Sequence, residues 1–514
     1  MKLSTKLLVV FLAVGVIPFA TIGTVSLLKS QAALKQASFN QLDAINAIKT
    51  SQIEGFFAER EGDLGVLSET VGTLRTEAFH KLEMARDLKA SQIERFFAER
   101  IGDADVLAAN PYTQTAYLDL LTAFAVNGGS NGGAFAGKGN FQYNAPSGYQ
   151  DVHDKHFGVF KDYMDKYGYY DIFLMDAEKG EICFSVYKEG DFGQSMATDD
   201  LGALGDAWAK AKTGKTALSD MSPYAPSAGA PAQFVAAAIK DGSTVVGVVA
   251  MQISADAINT IMGERSGLGE TGETYLVGQD LLMRSDSFLD PVNHSIVTSF
   301  KNPTLGKADT EAVQSALAGN KDSDVIKDYF GNPVLSAWTS ISVGDNKWGL
   351  LAEIDVAEAF CPKDDNGEFF FKKYTEMYGY YDLFLMNPDG YAFYTVSQEA
   401  DYQTNFVDGK YASSNLGELT REVLGSRKIG MADFAPYAPS ADAPSAFIAM
   451  PVLNRGEVEL VVALQLSLDA INGIMQQREG MGQSGESYLV GQDNLMRSDS
   501  FLDPTNFSVA GSFA

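Results

Sequence analysis

The sequence predicts an α+β protein: antiparallel sheets follow a long N-terminal helical region, and that region begins as a transmembrane helix. Three observations lead there. Residues 7–28 carry no charge, the next eighty residues keep a helical apolar spacing, and from Tyr167 onward strand-like runs are separated by hairpin turns with helices only at intervals. A long internal repeat organises the second half: ETYLVGQDLLMRSDSFLDP at Glu273–Pro291 returns 213 residues later as ESYLVGQDNLMRSDSFLDP at Glu486–Pro504. A period of that length marks a duplicated structural unit.

Leu7 to Leu28 would measure about 33 Å as a helix, enough to cross a hydrocarbon core. Lys2 and Lys6 precede it, and this reads as an uncleaved signal anchor with residues 1–6 in the cytoplasm and the bulk of the chain periplasmic or extracellular. From Ser30 to Ala109 the amphipathic spacing of Ile45, Ile48, Ile53, Phe56 and Phe57 predicts helix. A second, shorter repeat lies inside it, IKTSQIEGFFAERE from Ile48 and LKASQIERFFAERI from Leu88. Gly62, Gly65 and Gly72 leave two alternatives, one long stalk or a hairpin bent near Ser68–Thr73.

Asn110 and Pro111 end the helical region, and Asn127–Gly148 reads as a surface loop. YYDIFLMD and EICFSVYKEGDF read as strands, and the continuously apolar VVGVVAMQI (Val245–Ile253) as an inner strand covered on both faces. Ser254 is placed to cap a short helix over Ala255–Gly263. Further strands begin at Glu273, with a helix near Thr310–Ala318 between them, and the pattern restarts at Tyr378–Met386. The expected domains are therefore a tail (1–6), the span (7–28), a helical region (29–110), a strand-rich pair (111–264 and 265–360), a copy of the first member (361–477) that lacks a long leading helix of its own, and the beginning of a copy of the second (478–514), as though the chain were cut inside a domain.

Composition narrows the function. With 39 basic and 66 acidic side chains the formal charge is −27, and no basic block is present, so nucleic acid is not an expected partner. Cys183 and Cys361 share no metal-ligand spacing, His153 and His156 lack a third ligand, and GKT at Gly214–Thr216 has Ala209 where a phosphate loop needs glycine. Without a paired nucleophile and base, nothing suggests an enzyme, and no cofactor is implied.

The anchor, the helix with SQIERFFAERIGDADVLA, the strand end GVVAMQISADAI and the motif GETGETYLVGQDLLMRSDS together resemble the double Cache sensor domain of bacterial methyl-accepting chemotaxis proteins, a domain type also carried by sensor histidine kinases and nucleotide cyclases. The resemblance covers Ser30–Asp355 and again Phe369–Ala514. It implies tandem PAS-like modules packed along a long helix, a small-molecule ligand in a distal module, and a homodimer held in the membrane through residues 7–28. The Arg-x-Trp-Tyr element of amino-acid-binding members is absent, and Gln252 or Gln465 stands where an Asp often ends the last distal strand.

Strand alternation puts Tyr169, Asp171 and Phe173 on one face beside Tyr170, with Tyr380, Tyr381, Asp382 and Phe384 as their counterparts. An aromatic wall with one carboxylate would suit a small cationic or amphipathic ligand; equally, the rings could fill a core and the Asp satisfy a turn amide. Asp220 and Tyr224, matched by Asp433 and Tyr437, flank a proline-stiffened PYAPS loop that could close on a ligand or be a rigid turn. Glu189 and Asp191, matched by Glu399 and Asp401, could hold a cation but read more readily as a solvated hairpin end, and Arg284 with Asp286 reads as a structural bridge. The expected function is the ligand-sensing region of a transmembrane chemoreceptor; a kinase or cyclase sensor and a membrane-tethered protein-binding scaffold are the alternatives.

Overall fold

The computed structural model describes residues 2–130, 134–363, 366–454 and 456–513, and divides them between two compact units, Leu74–Phe360 and Met1–Thr73 with Cys361–Ala514. The N-terminal region is helical without interruption: Leu3–Phe11, one π-turn over Leu12–Val16, then Ile17–Ala109. Among the described residues this is the helix long and apolar enough to cross a membrane, and Leu7, Phe11, Phe19 and Leu28 along it are exposed. Of the two alternatives it takes the unbroken helix, with Gly62, Gly65 and Gly72 all inside Ile17–Ala109. Gly62 and Gly65 face open space, and each costs only about 1 kcal/mol of helix propensity.

Asn110 and Pro111 do more than end this helix. The Asn110 side chain accepts a hydrogen bond from Tyr112 N (2.9 Å) and Pro111 occupies the first turn of a new helix, Pro111–Val126, which the sequence reading missed. Replacing Asn110 with alanine is expected to cost about 1 kcal/mol, read as a lower urea midpoint. The segment expected to be a loop, Asn127–Gly148, holds β1 (Ala136–Gly139) and β2 (Gln142–Asn144), while its residues 131–133 lie outside those described. Helix Ser147–Tyr167 follows, ending on Gly168 at φ 71°, which leads into the first large sheet.

That sheet contains β3 (Tyr169–Asp176), β4 (Ile182–Ser185), β5 (Ala217–Leu218), β6 (Ser222–Tyr224), β7 (Ala230–Asp241) and β8 (Thr244–Ile253). Its order is β4-β3-β8-β7-β5, antiparallel throughout, with β6 paired to β7. The uniformly apolar β8 is an inner strand, as its composition requires. One face of the sheet packs Ile172, Leu174, Val249 and Met251 against Phe97, Tyr117, Phe124 and Phe160 of the helices; the other packs Phe173, Phe234 and Ala250 against Leu204 and Trp208 of helix Gly202–Ala211. Helix Ala255–Met262 closes the module, but the Ser254 side chain makes no capping hydrogen bond.

The next sheet is β10-β11-β12-β9, formed by β9 (Glu273–Val277), β10 (Asp322–Lys327), β11 (Pro333–Val343) and β12 (Asn346–Asp355), and covered by helix Glu311–Leu317. In the other unit β13 (Asp382–Met386), β14 (Ala392–Thr395), β15 (Gly430–Tyr437), β16 (Ala443–Asn454) and β17 (Glu457–Gln465) repeat the first arrangement in the order β14-β13-β17-β16-β15. The duplicate of β9, at Glu486–Val490, forms no strand; a bridge from Val490 to Met496 stands where Val277 bridges Met283.

The short repeat in the helix explains the long repeat in the sheets. Arg100 donates to Tyr167 O (3.0 Å), Tyr169 OH donates to Asp103 Oδ2 (2.8 Å), and Lys89 Nζ donates to Ile261 O. Forty residues earlier, Arg60 donates to Tyr378 O (3.0 Å), Asp63 Oδ2 accepts from Tyr380 OH (2.8 Å), and Lys49 Nζ donates to Ile474 O. The second strand-rich copy therefore does have a helix of its own, supplied from residues 48–63 instead of from the segment just before it.

Candidate ligand-binding site

The site is built where β3 meets the loop after β4. Tyr169, Tyr170 and Asp171 are consecutive, yet each points to a different partner, because a register shift between Tyr169 and Asp171 breaks the alternation of β3 against β8. Tyr169 and Phe173 thus fall on opposite faces, contrary to the simple alternation argument: Tyr169 packs with the helix-side core and Phe173 with the other. The Tyr169 ring also carries the Arg100 guanidinium at 5.0 Å, so this residue clamps the sheet to the helix. Tyr380 does the same with Arg60 and Asp63.

Asp171 is buried, and its oxygens are filled from within. Oδ1 accepts from the backbone N–H groups of Ile172 (2.6 Å), Val186 (2.8 Å) and Tyr187 (2.8 Å), and Oδ2 accepts from Ser185 Oγ (2.6 Å). The bland reading of this residue, a carboxylate that satisfies turn amides, is what the geometry shows. In the second copy Asp382 Oδ1 accepts from Leu383, Val396 and Ser397, but Oδ2 is buried with no partner among the described residues.

Asp220 and Asp433 also leave the expected site. Asp220 takes a bidentate pair from Arg284 (Nε to Oδ1 and Nη2 to Oδ2, both 2.9 Å) and a third hydrogen bond from Trp348 Nε1 (3.0 Å). Asp433 takes the equivalent pair from Arg497. A groove of about 540 Å³ lies beside Asp433, lined by Arg497, Phe57, Ile471 and Leu489.

What converges instead is a ring of acceptors. Tyr170 OH donates to Glu189 Oε1 (2.9 Å), Ser227 Oγ donates to Glu189 Oε2 (2.5 Å), and Tyr224 OH donates to Asp191 Oδ2 (2.8 Å). Gln252 is opposite Asp171 and Phe234 in the ladder and shares the face of Val248 and Ala250. Tyr381, Glu399, Ser440, Tyr437 and Asp401 repeat the ring, and there Gln465 Nε2 reaches Ser440 Oγ (3.4 Å) and Ser445 Oγ (2.9 Å). Phe173 with Phe234, and Phe384 with Phe447, form the apolar floor. Glu189 and Asp191 were the residues undervalued by the sequence: Asp191 is fully buried, not a solvated hairpin end, and only its pairing with Tyr224 in space reveals it.

Buried acceptors are left over. Among the described residues Asp191 Oδ1 and Gln252 Oε1 have no hydrogen-bond partner in the first copy, and Asp382 Oδ2, Asp401 Oδ1 and Gln465 Oε1 have none in the second. Burial, reinforced by the charges of Asp171 and Glu189, pushes the Asp191 carboxyl well above the usual range, and burial brings Asp382 up to about 7. Lys188 directly precedes Glu189, and its ammonium donates to Ser185 O and Val186 O and lies 4.5–5.2 Å from the rings of Phe157, Tyr143 and Phe184. Burial lowers it to about 7, although Asp171 pulls it upward. Gln398 replaces it in the second copy.

No family model matches the chain, and no curated protein matches it. Among solved structures it is similar to the ligand-binding domain of the Pseudomonas fluorescens chemoreceptor CtaA in complex with L-isoleucine, at 14% identity over 56% of this chain and 97% of that one, TM-score 0.32. It is also similar to the periplasmic sensory domain of the Campylobacter jejuni chemoreceptor Tlp1, at 16% identity over 56% and 99%, TM-score 0.35. A third is the ligand-binding domain of the Pseudomonas aeruginosa amino acid chemoreceptor PctC in complex with GABA, at 14% identity over 52% and 96%, TM-score 0.31.

Proposed function

We propose that the chain is the extracytoplasmic ligand-sensing region of a membrane-anchored chemoreceptor, and that each distal ring takes a compact cation rich in N–H donors. The observation that carries this is the sequence Tyr169-Tyr170-Asp171: three adjacent residues join the helix, the acceptor ring and the turn amides. A ligand that draws Glu189 and Asp191 together moves Tyr170, and Tyr170 cannot move without Tyr169, which is fastened to Asp103 and Arg100 of the helix that continues into the apolar segment. Signalling then needs only that the ligand bind one of two helix positions better than the other. The unfilled oxygens supply that preference, since a charge-assisted hydrogen bond to a buried carboxylate is worth about 1.5–3 kcal/mol.

The full chain in lipid nanodiscs should be stabilised in thermal unfolding by small primary amines and guanidinium compounds, and not by a matched series of carboxylic acids. The double variant Asp191→Asn, Asp401→Asn should weaken binding of whichever amine is captured by tenfold or more. Stabilisation by the acids alone, or by neither series, would sink the proposal.

A further inference from the structure

The sheet formed by β9 to β12 carries a buried pair that the ligand site does not use. Glu273 on β9 and Glu353 on β12 are directly opposite in the antiparallel ladder, 2% and 3% exposed. Their surroundings differ in kind. Glu273 Oε2 accepts from the backbone N–H groups of Phe288 (2.9 Å) and Leu289 (3.2 Å) and from Ser287 Oγ (2.8 Å), and Oε1 accepts from Tyr329 OH. A backbone amide can only donate, so Glu273 is built as an anion. Glu353 meets only hydroxyls, Ser336 Oγ at Oε1 (2.8 Å) and Tyr275 OH at Oε2 (3.0 Å), and a hydroxyl can accept a proton's hydrogen bond as readily as give one.

The other titratable groups around the pair are Asp328 and Tyr329 from the turn after β10, Tyr275 from β9, and Asp290 with His294, whose imidazole stacks on the Tyr329 ring at 4.1 Å. Among the described residues no lysine or arginine hydrogen-bonds or ion-pairs with either glutamate. Two like charges facing each other at a dry, uncompensated position cannot both persist.

We infer that Glu353 is a proton-binding site: it is held neutral by its pairing with Glu273, and its ionisation parts β9 from β12, giving this module a proton input separate from the distal ring. Burial, joined by the charges of Glu273 and Asp328, pushes Glu353 up to about 8 against the pull of Ser336 and Tyr275. Its folded value is raised above the ordinary 4.5, so the unfolded chain releases this proton first as pH rises. The stability it confers is full below about 4.5 and declines through that window until it is lost at about 8. β12 leads directly into helix Val356–Phe360, which would feel the separation first.

The test is infrared spectroscopy of the full chain in nanodiscs across pH 6 to 9, taking wild type minus Glu353→Gln so that the distal carboxyls cancel. The difference spectrum should show one protonated-carboxyl band that disappears with a midpoint near 8. In Glu273→Gln, which removes the opposing charge while keeping the fold's hydrogen-bond acceptor, that midpoint should move down by about one unit or more. Glu486→Gln, in the other compact unit, should leave the band unchanged. No band, a midpoint in the ordinary carboxylate range, or an unshifted midpoint in Glu273→Gln would overturn the inference, and amine binding at the distal ring bears on it in neither direction.

Discussion

Replacing Asp220 with alanine is expected to destabilise the unit Leu74–Phe360 by about 3–5 kcal/mol, the cost of leaving a buried ion with part of its pairing gone. The Arg284 side chain is 2% exposed, and it spends two of its donors on Asp220, with the remainder going to Asp280 and Leu282 O. Trp348 Nε1 would lose its acceptor as well. All three tryptophans of the chain, Trp208, Trp338 and Trp348, lie in this unit, so urea unfolding followed by tryptophan fluorescence reads it without interference from the other. Asp433→Ala breaks the identical ion pair with Arg497, yet Asp433 is 65% exposed there, and the cost should be about 1 kcal/mol or less. A fluorescence midpoint that Asp220→Ala leaves in place would mean that Asp220 is free for a ligand after all. The same chemical motif thus differs in burial between the two sites, with Arg284 2% exposed and Arg497 12% exposed.

That contrast shows what the sequence could and could not disclose. Helices and inner strands were legible because their apolar period is a local property: the apolar helix over Leu7–Leu28, the helical stretch after it and the buried β8 all follow from neighbours a few residues apart. The roles of Asp220 and Asp171 were not, because an acidic residue at a strand end looks the same whether it meets an arginine 64 residues on or three backbone amides. The face of Tyr169 was misplaced by a single irregularity, since a one-residue shift inverts the side of a sheet on which everything beyond it lies. One signal was present and went unused. The helix holds two copies of a Lys, Arg and Asp set forty residues apart, the sheets hold two copies of a Tyr-Gly-Tyr-Tyr-Asp run, and the equal number of copies already implied one clamp for each.

The second large effect concerns Asp171. Alanine at this position would strip the acceptor from the N–H groups of Ile172, Val186 and Tyr187 together, and each amide left without a partner in a dry interior costs about 1–3 kcal/mol. Val186 N keeps a weaker alternative in Ile172 O (3.1 Å), so the expected loss is about 3–5 kcal/mol and not the full sum. Tryptophan fluorescence again reports it, through Trp208 on the neighbouring core. Asp382→Asn tests the converse. Its Oδ1 position would still serve three amides, while the nitrogen would replace an oxygen that has no partner, so calorimetric stability of that unit should change by about 1 kcal/mol or less at neutral pH. Because burial raises the Asp382 carboxyl to about 7 from 3.8, wild type should lose stability as pH rises between those values and the asparagine variant should not. If Asp171→Ala unfolds its module while Asp382→Asn leaves its own module intact but abolishes amine capture, the carboxylate that is free to meet a ligand belongs to the second copy, where no lysine stands beside it and the turn leaves one oxygen unclaimed.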